Sequence, residues 1–195
     1  MTSFTLVEYF LFVSVVLLGL SIYLNIKQKR LLNQRKNSEA ALIKEAYFDP
    51  VTDLPNRKNI ELVLNEQIAR SARHGKSFSI VSINIGNYRD IKINYKDKAN
   101  DILVQIGDRL LESTRDEDIL SHIEEDEFIL VLNEYIEDDN LDILFRRINN
   151  ALEEGIVDEH GTLKMEAEIG KSKYPDDASD ARGLIYKAKN QILSI

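Results

Sequence analysis

The sequence contains no cysteine, so disulfides and thiolate metal sites are excluded. Histidine is nearly as scarce. His74, His122 and His160 are scattered without ligand spacing, which argues against a histidine metal centre. Nor is there an excess of basic charge. The net charge is −8 and the pI is near 5.0, so a broad nucleic-acid surface is not expected. No internal repeat or low-complexity run is present. The 195 residues leave room for one domain of ordinary size plus an appendage.

Lys and Arg are also absent ahead of residue 27. There, residues 4–26 are almost entirely apolar, interrupted by Thr5, Glu8, small Ser or Gly residues, tyrosines and Asn25. At about 1.5 Å of rise per residue, such a helix crosses a hydrocarbon core of about 30 Å. Lys27, Lys29, Arg30, Arg35 and Lys36 follow directly. That asymmetry predicts a single membrane span with its N-terminus outside and the remainder in the cytoplasm. A cleaved signal peptide needs a basic start and a small-x-small cleavage site, and the sequence has neither. Residues 27–46 contain no Gly or Pro, so the helix is expected to continue as a connecting segment. Its basic cluster suits anionic headgroups, although ordinary positive-inside residues account for it equally well. Asp49-Pro50 breaks the helix and sets a domain boundary near Tyr47.

Beyond that boundary the periodicity changes repeatedly. Residues 56–73 place Ile60, Leu62, Val63, Leu64, Ile68 and Ala69 at helical spacing, and residues 78–85 alternate as a strand. Residues 99–111 return to helix, with Ile102, Leu103, Ile106, Leu110 and Leu111 on one side. Residues 119–123 and 128–132 form a strand pair, and residues 141–152 a third helix. Leu163, Met165, Ala167 and Ile169 alternate as another strand, and residues 181–193 close with a helix. Hairpin and crossover connections mix. The expected architecture is α/β (α+β), one mixed, antiparallel-containing sheet flanked by helices.

The strongest signal lies in residues 121–132, Ser-His-Ile-Glu-Glu-Asp-Glu-Phe-Ile-Leu-Val-Leu. Phe128 to Leu132 reads as a buried strand, and Glu124, Glu125, Asp126 and Glu127 crowd the hairpin tip. Four adjacent carboxylates are costly unless something positive uses them. A solvated turn is the simplest reading. A rebuilt divalent site is disfavoured, because neighbouring strand residues point to opposite faces.

The outline of this hairpin resembles the Gly-Gly-Asp/Glu-Glu-Phe hairpin of bacterial diguanylate cyclases, with Glu124 and Glu125 in place of the glycines. Asp49-Pro50-Val51-Thr52-Asp53-Leu54-Pro55-Asn56-Arg57 is similar to that family's opening Asp-x-Leu-Thr-Gly-Leu-x-Asn-Arg, with Asp53 at the glycine. Tyr174-Pro175-Asp176-Asp177 is similar to the segment that leads into its last helix. In this order and spacing, the chain from Tyr47 onward resembles a GGDEF domain of the nucleotidyl-cyclase-like type.

The resemblance implies a reaction and its parts. In that family two domains meet across two GTP molecules, and each 3′-hydroxyl attacks the other's α-phosphate while carboxylates hold two magnesium ions. The metal-binding aspartate ending the first strand aligns with Asn84, a poor magnesium ligand. The guanine-reading asparagine aligns with Lys92 and the following aspartate with Ile93, while Asp101 keeps the second guanine-reading position. Asp126 and Glu127 keep the acidic pair, but Glu124 and Glu125 would face a triphosphate. Like charges about 4 Å apart repel by roughly 4 kcal/mol at an effective dielectric near 20. The Lys and Arg pair that follows the family's last helix would lie beyond Ile195, where this sequence stops. The expectation is a domain without cyclase activity and without a cofactor, magnesium mattering only if activity persists.

A product site is a separate matter. In the family an Arg-x-x-Asp motif nine and six residues ahead of the first glycine binds cyclic di-GMP, and counting back from Glu124 puts Arg115 and Asp118 there. A guanidinium fork suits guanine O6 and N7 or a phosphate, and a carboxylate accepts from guanine N1–H and its exocyclic amine. An arginine here could equally pair with Asp116, Glu117 or Asp118 on the surface. Arg146 or Arg147 resembles the arginine that completes this site from a second surface. The resemblance therefore implies a catalytically inactive cyclic di-GMP receptor in the bacterial inner membrane. It would regulate exopolysaccharide or biofilm output as a homodimer or with a membrane-bound synthesis protein. Two alternatives stand beside it: a ligand-independent interaction module, and a cyclase completed by a partner GGDEF chain.

Overall fold

The computed structural model describes residues 6–132, 138–158 and 161–192. Residues 4 and 5 of the apolar run, His160 and Leu193 of the closing helix lie outside them. The chain divides into two units, Met1–Glu45 and Ala46–Ile195.

Helix α1, Leu6–Tyr47, runs 42 residues without a break, as a stretch free of Pro with a single Gly allows. Apart from half-buried Val13, its Phe, Leu, Val and Ile side chains between Phe10 and Ile26 are exposed, and it is long and apolar enough to cross a membrane. It ends where Asp49 turns the chain. The Asp49 carboxylate accepts from the Val51 and Thr52 amides at 3.0 and 2.8 Å, and the Asn56 amide donates to the Tyr47 carbonyl at 3.0 Å. Asp53 takes the glycine position of the motif at φ 59°, a left-handed conformation that aspartate tolerates better than most residues.

The second unit runs α2 Arg57–His74, β1 Phe78–Ile85, α3 Tyr88–Asn94, α4 Ala99–Glu112, β2 Ile119–Glu124, β3 Glu127–Leu132, α5 Asp138–Glu153, β4 Ile156–Asp158, β5 Gly161–Leu163, β6 Ala167–Tyr174 and α6 Ala181–Asn190. Asn56 caps α2 by accepting from the Asn59 amide at 3.1 Å, and Asp180 caps α6 from the Gly183 amide at 2.9 Å.

Four strands form one sheet in the order β2-β3-β1-β6, and every ladder is antiparallel where a mixed sheet was expected. The crossover through α3 and α4 does return β2 in the same sense as β1, but β3 is inserted between them. The architecture is α+β. One sheet face packs Val81, Ile83, Ile85, Phe128, Leu130 and Leu132 against residues of α3, α4 and α5. The other packs Phe78, Ile80, Ile129 and Val131 against α2 and α6. Period-2 alternation along β1 and β3 feeds both cores.

Three expectations shift. Leu62 and Leu111 are exposed, each adjacent in sequence to its helix's buried stripe without belonging to it. The strand expected across residues 163–169 is broken: Leu163 belongs to the small β4–β5 hairpin and β6 starts at Ala167. Asn87 explains the break. Its side chain donates to the Lys164 carbonyl at 2.9 Å and accepts from the Glu166 amide at 3.2 Å, taking residues 164–166 out of the ladder.

Candidate functional site

The β2–β3 tip is built by alternation and by helices arriving from both sides. Glu127 shares a strand face with Ile129 and Val131, so it points toward α2 and α6 and is only 2% exposed. Lys189 of α6 places Nζ 2.5 Å from Glu127 Oε2, and Ser82 Oγ donates to Oε1 at 3.3 Å. Burial pushes the Glu127 carboxyl above its ordinary value against the pull of Lys189. Desolvation works against the Lys189 ammonium too, but its bond to Glu127 and the charges of Glu127 and Glu124 outweigh it and raise the group.

Glu124 closes β2 and ion-pairs with Arg57, with Lys189 at 3.4 Å. Burial pulls its carboxyl upward, and the Lys189 and Arg57 charges overcome that and hold it low. Glu125 accepts from Lys92 Nζ at 2.5 Å, a bond that raises Lys92. The tip is therefore a solvated turn whose exposed carboxylates are also ion-paired. Its cations come from α2, α3 and α6, far away in sequence.

The other expected active-site positions are spread along this edge. Asn84 is half-buried near the end of β1, facing Glu127 on β3 and Glu168 on β6 in register. Ile93 and Asp101 are exposed, Asp101 in the first turn of α4. Asp126 is partly buried, and its carbonyl accepts from the Ile85 amide at 2.9 Å. Among the described residues, no group of three or more acidic or histidine side chains could hold a metal ion.

Sequence reasoning gave no role to His122. It is 5% exposed and stacked on Phe128, with Nδ1 3.1 Å from Asp49 Oδ1 and 3.3 Å from Thr52 Oγ1. Its amide donates to the Pro55 carbonyl at 2.9 Å, so His122 fastens the opening motif to β2 through both its backbone and its ring. Burial works to raise the Asp49 carboxyl, but the Thr52 amide and His122 outweigh it and lower the group. Above the pair a cleft of about 620 Å³ opens, lined by Arg57, Lys58, Lys92, His122, Glu124 and Glu125 among others.

The second region is the turn that leads into β2. Asp118 N donates to the Arg115 carbonyl at 3.0 Å, and Arg115 N donates to Asp118 Oδ2 at 3.2 Å. One Asp118 oxygen thus closes the turn, and the Arg115 residue is exposed. Arg146 and Arg147 of α5 are exposed and line a depression of about 410 Å³ together with Ser113, just upstream of Arg115. Arg109 fixes this arrangement by donating to the Ala151 and Gly155 carbonyls at 2.8 and 2.6 Å, which ties α4 to the end of α5.

The chain from residue 46 to residue 194 matches the family model described as diguanylate cyclase, GGDEF domain. It is 28% identical over 165 residues to the cyclic di-GMP phosphodiesterase NbdA of Pseudomonas aeruginosa, a match covering 84% of this chain and 21% of that protein. It is 30% identical over 109 residues to the diguanylate cyclase DgcP of Escherichia coli, covering 54% of this chain and 31% of that one. The chain thus spans only a fifth to a third of the length of these relatives. Among solved structures, the coiled coil and GGDEF domain of DgcB from Caulobacter crescentus, in complex with c-di-GMP, gives a TM-score of 0.74 at 11% identity. That match covers 88% of this chain and 91% of the other. The GGDEF domain of PA1120 from Pseudomonas aeruginosa gives 0.68 at 22% identity, over 73% and 84%. Fold and family model agree: the chain belongs to the GGDEF, or diguanylate cyclase, domain family.

Proposed function

We propose that this protein is a membrane-anchored, catalytically silent GGDEF domain that works as a cyclic di-GMP receptor. The observation that carries this reading is the Arg115–Asp118 turn, closed by its own two backbone amides and starting two residues after Ser113, which lines a depression with the exposed arginines of α5. Arg115 would fork onto guanine or phosphate, and the Asp118 carboxylate would accept from the guanine edge. Arg146 or Arg147 would supply a further cation from the neighbouring helix. DgcB, which shares the fold, was solved in complex with c-di-GMP, and that supports the ligand class.

Catalytic silence rests on the other end of the hairpin. Asn84 offers magnesium a neutral amide where the family uses a carboxylate, and Lys92 is engaged with Glu125 where the family reads guanine. No cofactor is proposed. Helix α1, with five Lys or Arg between residues 27 and 36, would hold the domain at the cytoplasmic face of the inner membrane. Exopolysaccharide synthesis is the proposed output, by analogy only.

The test is calorimetry on the purified full chain in detergent. Cyclic di-GMP should give a saturable heat that Arg115→Ala abolishes. Absence of heat with the wild-type protein overturns the receptor reading. Incubation with GTP and magnesium or manganese should yield no cyclic product, and its appearance overturns catalytic silence.

A further inference from the structure

The cleft beside the β2–β3 tip is lined by three cations, Arg57, Lys58 and Lys92, and by four carboxylates, Asp49, Glu61, Glu124 and Glu125. Arg57 and Glu124 are 67 residues apart, and Lys92 and Glu125 are 33 apart, so each pair joins separate elements. The four side chains are between 40% and 72% exposed, so these are openable surface pairs, unlike the buried one between Glu127 and Lys189. Lys58 lines the same cleft. So does His122, whose buried Nε2 has no hydrogen-bond partner among the described residues. Asp49 is engaged by His122 and the Thr52 amide, and Glu61 by Arg182, so Glu124 and Glu125 are the carboxylates seated on Arg57 and Lys92: the chemistry of an anion site whose anion comes from within.

We propose that Glu124 and Glu125 form an autoinhibitory plug. Their carboxylates occupy Arg57 and Lys92, the cations an incoming polyphosphate would need, and so close the cleft to nucleoside triphosphates. The proposal rests on the catalytic silence argued above and deepens it by placing the block in two reversible contacts. A triphosphate entering the wild-type cleft meets the charges of Glu124 and Glu125 where they hold Arg57 and Lys92, and finds both cations spent. Once the two charges are removed, the same cleft offers Arg57, Lys58 and Lys92 together.

The test compares wild type with the Glu124→Gln/Glu125→Gln variant, which keeps the side-chain shape and removes the charge. Full-length protein in detergent is titrated with GTP and, separately, with inorganic tripolyphosphate. Wild type should bind neither at millimolar concentration. The variant should bind both, tighter by about tenfold or more, and adding Arg57→Met and Lys92→Met should return it to wild-type behaviour. If circular dichroism shows the Gln variant unfolded, Glu124→Gly/Glu125→Gly carries the same comparison. Equal affinity in wild type and variant, no gain in either variant, or a gain that survives loss of Arg57 and Lys92 overturns the plug. The first two results leave catalytic silence standing when no cyclic product forms; cyclic product from wild type overturns both.

Discussion

Glu124 and Glu127 are three residues apart and sit in different electrostatic surroundings. Glu124 is half-exposed between two cations that hold its carboxyl low, whereas Glu127 is buried and its carboxyl is pushed up even with Lys189 beside it. A buried charge left alone is costly, so Lys189→Met should destabilise the domain more than an ordinary surface change. About 2–3 kcal/mol is expected, discounted from the full buried-pair value because Lys189 is partly exposed. Urea unfolding checks this, and the Glu127→Gln/Lys189→Met pair should recover most of the loss. Asp49 gives a pH dependence of definite sign. Its folded carboxyl titrates below its unfolded value of 3.8, so its stabilising contribution is complete above that pH. The contribution is lost as pH falls through the folded value. Urea midpoints between pH 5 and 2.5 should therefore fall more steeply in wild type than in Asp49→Asn, the two curves converging at the acid end.

At the scale of elements, helix α6 lies on β6 with no room to spare. A Cβ on Gly170 would come 2.0 Å from the Ala188 carbonyl oxygen and 3.1 Å from that of Gln191, both backbone atoms. Gly170→Ala must therefore move the end of α6, at a cost of about 1–3 kcal/mol. Gly86→Ala meets nothing closer than 3.6 Å and should stay within about 0.5 kcal/mol of wild type. Thermal melts of the two variants side by side test the contrast. The long elements were legible in the sequence because each carries its own period, as α4 does with Ile102, Ile106 and Leu110. The break at residues 164–166 was not, because the side chain of Asn87, 77 and 79 residues away, replaces the ladder there. The same distance effect hid the tip's chemistry. Four acids were visible in one line of sequence, but Arg57 and Lys189 reach Glu124 across 67 and 65 residues, and nothing local announces them. Arg115 and Asp118 could be found because their spacing from the hairpin is itself the signal.

At the scale of the whole molecule, the chain is two units, residues 1–45 and residues 46–195. Residues before Ala46 carry six basic and three acidic side chains behind an apolar helix, so the remainder is more acidic than the chain's overall −8. The buried members of both hydrophobic clusters are drawn from Leu54 onward. Residues 46–195 should therefore unfold in one cooperative transition without α1, as a domain with its own cores does. Full-length protein should stay in the membrane pellet after alkaline carbonate extraction, and the 46–195 fragment should appear in the supernatant. An acidic surface also gives the fragment little attraction to anionic vesicles, so it should not sediment with them even at low salt. A fragment that pelleted with vesicles, or melted without cooperativity, would assign α1 a share in the fold.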